Sequence, residues 1–197
     1  MTPTSSILVI CTGNICRSPV AEASLRRSLD RRLGARAPRV SSAGTEGWDG
    51  SPATDGSVVA ARELGLDLTG HVARSLTTDM LAGAGLLLVM AAGHADTITA
   101  AVPSAEPRIF TLKELVLTFE ALPADASAPR LEDRVAAAAA WRASVGVPAA
   151  DLDVDDPLGQ PLDTYRAMAR ELVDWTDRLA AELARPPAPP QPGDPPA

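Results

Sequence analysis

Aromatic side chains are scarce in this chain: two Phe, one Tyr and three Trp among 197 residues. A core must therefore be assembled from Leu, Val, Ile and Ala. Two cysteines and two histidines are too few for a disulfide framework or a zinc ligand set, so neither a metal nor another cofactor is expected. Basic residues stand singly or in pairs and the net charge is −7, which argues against nucleic acid as a partner. Lysine occurs once, at Lys113, and with so much arginine and alanine the composition is that of a GC-rich bacterial source. Long hydrophobic runs are also missing. The longest apolar stretch, residues 81–92, falls short of the roughly 20 residues that cross a membrane. The opening residues 1–6 carry no basic segment, and the apolar run behind them is too short for a secretion signal. These absences predict a cytoplasmic protein with no membrane partner, a compartment in which a free thiol persists. The length suits one well-filled core.

What is present begins at residue 11. Cys11-Thr12-Gly13-Asn14-Ile15-Cys16-Arg17-Ser18 follows the apolar run at 6–10 and precedes Pro19. The order is strand, tight loop and helix start. Backbone N–H groups of such a loop point inward and favour an anion. Arg17 adds a planar, permanently charged fork that matches phosphate oxygens. In that field Cys11 is expected to lose its proton well below the free-thiol value of about 8.5 and to act as a nucleophile. Ser18 is expected to donate to the thiolate and to cap the helix, with Pro19 at the first helical position. A thiolate attacking phosphorus needs a carboxylic acid to protonate the departing oxygen. The segment 151–157 offers Asp151, Asp153, Asp155 and Asp156 just before Pro157.

Four short apolar runs, at 7–10, 40–43, 86–90 and 108–110, alternate with helical patterns. Strands without in/out alternation, separated by helices, predict an α/β fold: a doubly wound four-stranded parallel sheet with helices on both faces. Ala21, Leu25, Leu29 and Leu33 mark one helix face, and 57–64 and 94–101 are further helical segments. Beyond the sheet, 111–119, 133–144 and 162–183 read as helices. The last carries a stripe of Tyr165, Met168, Leu172, Thr176, Leu179 and Leu183. Residues 185–197 hold seven of the 18 prolines, so 186–197 is expected to be a disordered tail beyond a domain spanning 1–185. Ligands of such sheets bind at the carboxyl ends of the strands, where the Cys11 loop lies.

The run from Cys11 to Pro19, with Ala21-Glu22 behind it, resembles the signature of the low-molecular-weight protein tyrosine phosphatases. Ser41-Ser42-Ala43-Gly44-Thr45 and the segment 65–71 resemble further parts of that family, and Asp156-Pro157 its distant Asp-Pro. The stretch at about 121–149 is longer than the family minimum and reads as an extra helical segment. The resemblance implies hydrolysis of phosphate monoesters, protein phosphotyrosine first, through a phosphocysteine, with a phosphorylated protein as partner. It implies Cys11, Arg17 and Asp156 as catalytic residues, with Asp156 held in place by the proline after it and its like-charged neighbours favouring the protonated form. Residues from Thr12 to Ser18 would hold the phosphate. Asn14 and Ser42 would hydrogen-bond each other and, with Ser18, support the loop. Cys16 matches a cysteine that can trap an oxidised Cys11 as a disulfide. His71 and His94 are read as structural, neither lying near the loop in motif order.

Two departures bear on specificity. Where the family often has an aromatic residue after the Asp-Pro, this chain has Leu158; Trp48 stands where the opposite wall of a phenyl slot belongs, with Ile15 between them. In the arginine-phosphatase branch of the fold the residue matching Ile15 is threonine, so Ile15 favours phosphotyrosine and arginine phosphatase activity is the alternative. A thiol-dependent arsenate reductase would need cysteines downstream of Cys16, and there are none.

Overall fold

The computed structural model describes residues 6–123, 130–147 and 151–186; most of the proline-rich tail, from residue 187, lies outside them. Its elements, in chain order, are β1 (Ser6–Cys11), α1 (Arg17–Leu33), β2 (Arg39–Gly44), α2 (Asp55–Glu63), α3 (Thr78–Gly83), β3 (Leu86–Val89), α4 (Ala92–Ala101), β4 (Ile109–Thr111), α5 (Leu112–Ala121), α6 (Leu131–Val145) and α7 (Leu162–Ala184). The four strands are parallel, in the order β2-β1-β3-β4. β1 is thus flanked by β2 on one side and β3 on the other, and the chain reverses its winding direction there. A crevice opens at the carboxyl end of such a strand.

Ile7, Leu8, Val9 and Ile10 are all buried, which explains why the run shows no alternation: each face of β1 meets its own core. Ile7 and Val9 join Leu86, Leu88 and Phe110 under α1, α2, α5, α6 and α7. Leu8 and Ile10 join Leu87, Val89 and Ile109 in a smaller cluster against Leu81 of α3 and Ile98 of α4. The α7 stripe is buried as its spacing predicts, and Ser24 of α1 meets Thr176 across the helix pair at 2.7 Å.

Local chemistry moves several boundaries. Thr111 ends β4 instead of opening a helix; its hydroxyl accepts from the Glu114 amide while the Glu114 carboxylate accepts from the Thr111 amide, a reciprocal cap that starts α5 at Leu112. Arg108 lies in a 3₁₀ turn before β4, not in the strand. The short helix α3, hidden in sequence by its own glycine and alanine, starts on the Thr77 side-chain cap. Within the longer insertion, α6 sends Leu131, Val135 and Ala138 into the larger core. Its Arg142 donates to the Ile109 carbonyl at 2.8 Å and lies over the Phe110 ring, covering the open edge of the sheet. Among the described residues, no helix is long and apolar enough to cross a membrane.

Candidate active site

Cys11 is the last residue of β1, buried and in register with Gly44 of β2. From there the loop turns into α1. The carbonyl of every residue from Cys11 to Ile15 is claimed from outside. Thr45, Glu46, Trp48 and Thr54 amides donate to Cys11, Thr12, Gly13 and Ile15, and His71 Nε2 donates to the Asn14 carbonyl at 2.7 Å. With the carbonyls turned outward, the amides between them face the hollow of the loop, the arrangement that binds an anion. Close approach is needed for this: a Cβ at Gly44 would overlap the Thr12 carbonyl oxygen.

Asn14 is the described non-glycine residue with a positive φ, 57°. Asparagine tolerates that left-handed conformation better than most residues, and here its side chain is fully used. Its amide donates to Ser42 Oγ and to Ser18 Oγ, each at 2.8 Å, and its oxygen accepts from the Arg74 amide at 3.0 Å. Ser42 passes its own proton to Glu22 at 2.6 Å. The Asn14–Ser42 bond that the resemblance implied is therefore present.

Ser18 corrects one expectation. The helix starts at Arg17, and neither Ser18 nor the N-cap residue Cys16 makes a side-chain cap. Ser18 is the second helical residue and Pro19 the third. The Ser18 hydroxyl turns back to Cys11 Sγ at 3.0 Å. Because it already accepts from Asn14, its single proton is available to the sulfur. A cap would have consumed helix-end amides that here face the cleft.

Arg17 is buried and held on three sides: Nη1 donates to the Val154 carbonyl at 3.1 Å, and Nη2 to Asp156 Oδ2 at 2.6 Å and Thr12 Oγ1 at 3.3 Å. Its Nε is buried and has no partner among the described residues. Asp156 reaches it from the far end of the chain, half exposed, with its second oxygen accepting from the Leu158 amide at 3.1 Å. The neighbouring acids point elsewhere. Asp153 accepts from the Ala92 amide at 2.8 Å, and Asp155 is exposed. Val154, buried, ties the segment to the end of β3 by donating to Met90.

Cys16 is buried beside Thr54, and burial pushes its thiol pKa up; both cysteines are free. Ile15, Trp48 and Leu158 line one cleft of about 180 Å³ together with Cys11, Arg17, Glu46 and Asp156. Trp48 and Leu158 are exposed at its mouth, whereas Ile15 is nearly buried. A larger hollow of about 470 Å³ lies behind the loop against Glu22, His71 and Arg74. The thiol, guanidinium and carboxyl converge in the smaller one.

The histidines lie closer to the loop than motif order suggests. Both touch the loop: His71 at the Asn14 carbonyl, and His94, from the first turn of α4, at Thr12 Oγ1 with Nε2 3.1 Å away. Although His71 closes the 65–71 segment of the resemblance, the two are 57 and 82 residues from their partners, so spacing could not reveal these contacts. The same holds for Gly44, Arg74 and Val154.

Comparison with known proteins agrees with this geometry. The chain is 40% identical over 100 residues to the probable low molecular weight protein-tyrosine-phosphatase AmsI of Erwinia amylovora, a stretch covering 51% of this chain and 65% of AmsI. It is 31% identical over 177 residues to a protein-arginine-phosphatase of Geobacillus stearothermophilus, covering 90% of this chain and 95% of that one. The solved structure of the YwlE arginine phosphatase from the same organism superposes with a TM-score of 0.68 at 31% identity, covering 91% and 92% of the two chains. With residues 6–134 matching the low molecular weight phosphotyrosine protein phosphatases, the chain belongs to that family of cysteine-dependent phosphatases.

Proposed function

We propose that this chain hydrolyses phosphate monoesters on proteins, phosphotyrosine first, through a phosphocysteine formed on Cys11. The observation that carries this reading is the convergence of Cys11, Arg17 and Asp156 in one cleft, with the Arg17 Nε buried and unpartnered there. The phosphate takes its place in the cradle of loop amides and Arg17, drawing the Arg17 fork from the Asp156 carboxylate. Asp156, released from the pair and half open to solvent, takes up a proton from water there and turns toward the leaving oxygen as the acid. Cys11 sulfur attacks phosphorus in line; the bond to the tyrosine oxygen breaks, and Asp156 delivers its proton to that oxygen. In the second step Asp156 takes a proton from water as the water oxygen attacks phosphorus. The phosphorus–sulfur bond breaks, releasing inorganic phosphate and restoring the thiolate. The equatorial oxygens stay on the amides and Arg17 throughout, where charge develops against the buried floor of the cleft.

The aryl group would lie between Trp48 and Leu158 over Ile15, one aromatic and one aliphatic wall. Residues 6–185 act as one catalytic domain in this reading, since α6 shares the core of the sheet. A cytoplasmic site of action fits two free cysteines.

Phosphoarginine is the second reading, favoured by the likeness to a protein-arginine-phosphatase over 90% of the chain. Ile15, where that branch has threonine, weighs against it. Rates on matched phosphotyrosine and phosphoarginine peptides decide: phosphotyrosine is expected to lead, and Ile15→Thr to narrow the gap. Cys11→Ser is expected to lower either rate by on the order of 10⁴-fold; activity within tenfold of the parent protein would end the nucleophile assignment.

A further inference from the structure

We propose that the Thr12 side-chain hydroxyl is a further donor to the bound phosphate, aimed by His94. The inference rests on the reading of the loop as a phosphate site. Arg17 carries donors and no acceptor, so at 3.3 Å from Nη2 the Thr12 oxygen accepts. The direction of the second bond, to His94 Nε2 at 3.1 Å, is set by the ring's other nitrogen. His94 is buried, and Nδ1 makes no hydrogen bond of ordinary geometry among the described residues, the Ala91 carbonyl being the smallest influence on the ring. Burial, followed by the charge of Arg17, lowers the His94 pKa and keeps the ring neutral with a single N–H. A buried N–H left without an acceptor is a rarer and costlier defect than an acceptor left without a donor. The proton therefore sits on Nε2 and is donated to Thr12.

Both lone pairs of the Thr12 oxygen are then filled, one by Arg17 and one by His94. Its own proton must leave in the remaining direction. Thr12 lines the cleft beside Cys11 and Arg17, and the proposal places a phosphate oxygen in that direction. The backbone amides supply donors at fixed points of the loop; this hydroxyl adds a side-chain donor on the α4 side, next to the guanidinium. His94 is a positioning residue in this scheme and touches no reacting atom.

Two measurements test it. With two histidines in the chain, long-range proton–nitrogen NMR spectra resolve both rings, and His94→Asn identifies which signals belong to His94. The Nε2–H tautomer is expected; the Nδ1–H tautomer overturns the proposal. Calorimetric titration with inorganic phosphate is the second measurement. Thr12→Val is expected to weaken binding about tenfold, and Thr12→Ser, which keeps the hydroxyl, by no more than about threefold. His94→Leu should weaken it severalfold with a rise in KM larger than the fall in kcat. Thr12→Val binding within twofold of the parent protein overturns the proposal while leaving the phosphatase reading intact. A parent protein that neither binds phosphate nor hydrolyses an aryl phosphate overturns both. If Thr12→Val does not fold, the tautomer and the serine variant still decide.

Discussion

The loop at 11–18 and the segment at 151–158 meet at Arg17, and they are built on opposite plans. The first is buried and cross-braced. Its carbonyls are bonded outward, and Asn14 bonds to Ser18, Ser42 and Arg74. The second is exposed and holds four carboxylates, anchored through Val154, Asp153 and the Lys113 ammonium, which donates to the Asp153 carbonyl at 2.5 Å and pairs with Glu171 at 2.6 Å. Beyond that anchor Asp156 stands half in solvent. The difference matches what each part would do in the proposed reaction. A cradle for developing charge works best when its dipoles are already in place. An acid that first pairs with Arg17 and then serves the leaving oxygen must be able to change partners.

Among variants that leave the nucleophile in place, removing the exposed partner should produce the largest effect. Asp156→Asn keeps the shape but cannot deliver a proton, and a fall of about 10²–10³-fold on phosphotyrosine is expected. An activated leaving group such as nitrophenolate needs that proton less, so the same variant should lose far less on it. Equal losses on both substrates would remove Asp156 from the acid's role.

The rigid side is tested by Asn14→Ala. This leaves Ser42, Ser18 and the Arg74 amide without a common partner and puts a less tolerant residue at φ 57°. A loss of about 2–3 kcal/mol in denaturant unfolding is expected, with a smaller fall in kcat than Asp156→Asn gives. Unchanged stability would mean that the loop is held by its backbone bonds alone.

The smallest effect is in pH. The folded state holds the His94 pKa down, so the unfolded chain binds that proton more readily. Stability from this source is complete above the unfolded value of about 6.5. It declines as pH falls below that, until the folded ring takes the proton as well. Thermal melts from about pH 7 to about pH 5 should show a shallower decline in His94→Asn than in the parent protein. Parallel declines would show that His94 does not carry the effect.

The loop was legible because its parts are neighbours: strand end, glycine, thiol, guanidinium and helix start lie within a few residues, and spacing alone brings them to one cleft. The parallel sheet was legible for a similar reason, since Ile7 to Ile10 show by their unbroken apolarity that both faces are covered. The helix start was misplaced because Ser18 has two possible uses, a cap and a bond to sulfur. Propensity favours the first, while the Asn14 amide, itself held from Ser42 and Arg74, imposes the second. The histidines read as structural, but their contact with the loop was hidden because motif order says nothing about which elements end at the same edge of a sheet. α4 begins where β3 ends, beside β1, and that adjacency carries His94 to Thr12.

Taken alone, the amino-acid order determined the class of fold and pointed to the loop thiol with its guanidinium and to a carboxyl next to proline, because each depends on short-range spacing or on a recognisable likeness. Tertiary structure decided which further groups brace the loop, that Ser18 does not also cap the helix, and what touches Thr12. Those outcomes depend on the β2-β1-β3-β4 order, which sets the ends of β2 and β3 on either side of the β1 loop, and on a distant acidic segment that comes within hydrogen-bond reach of one buried arginine.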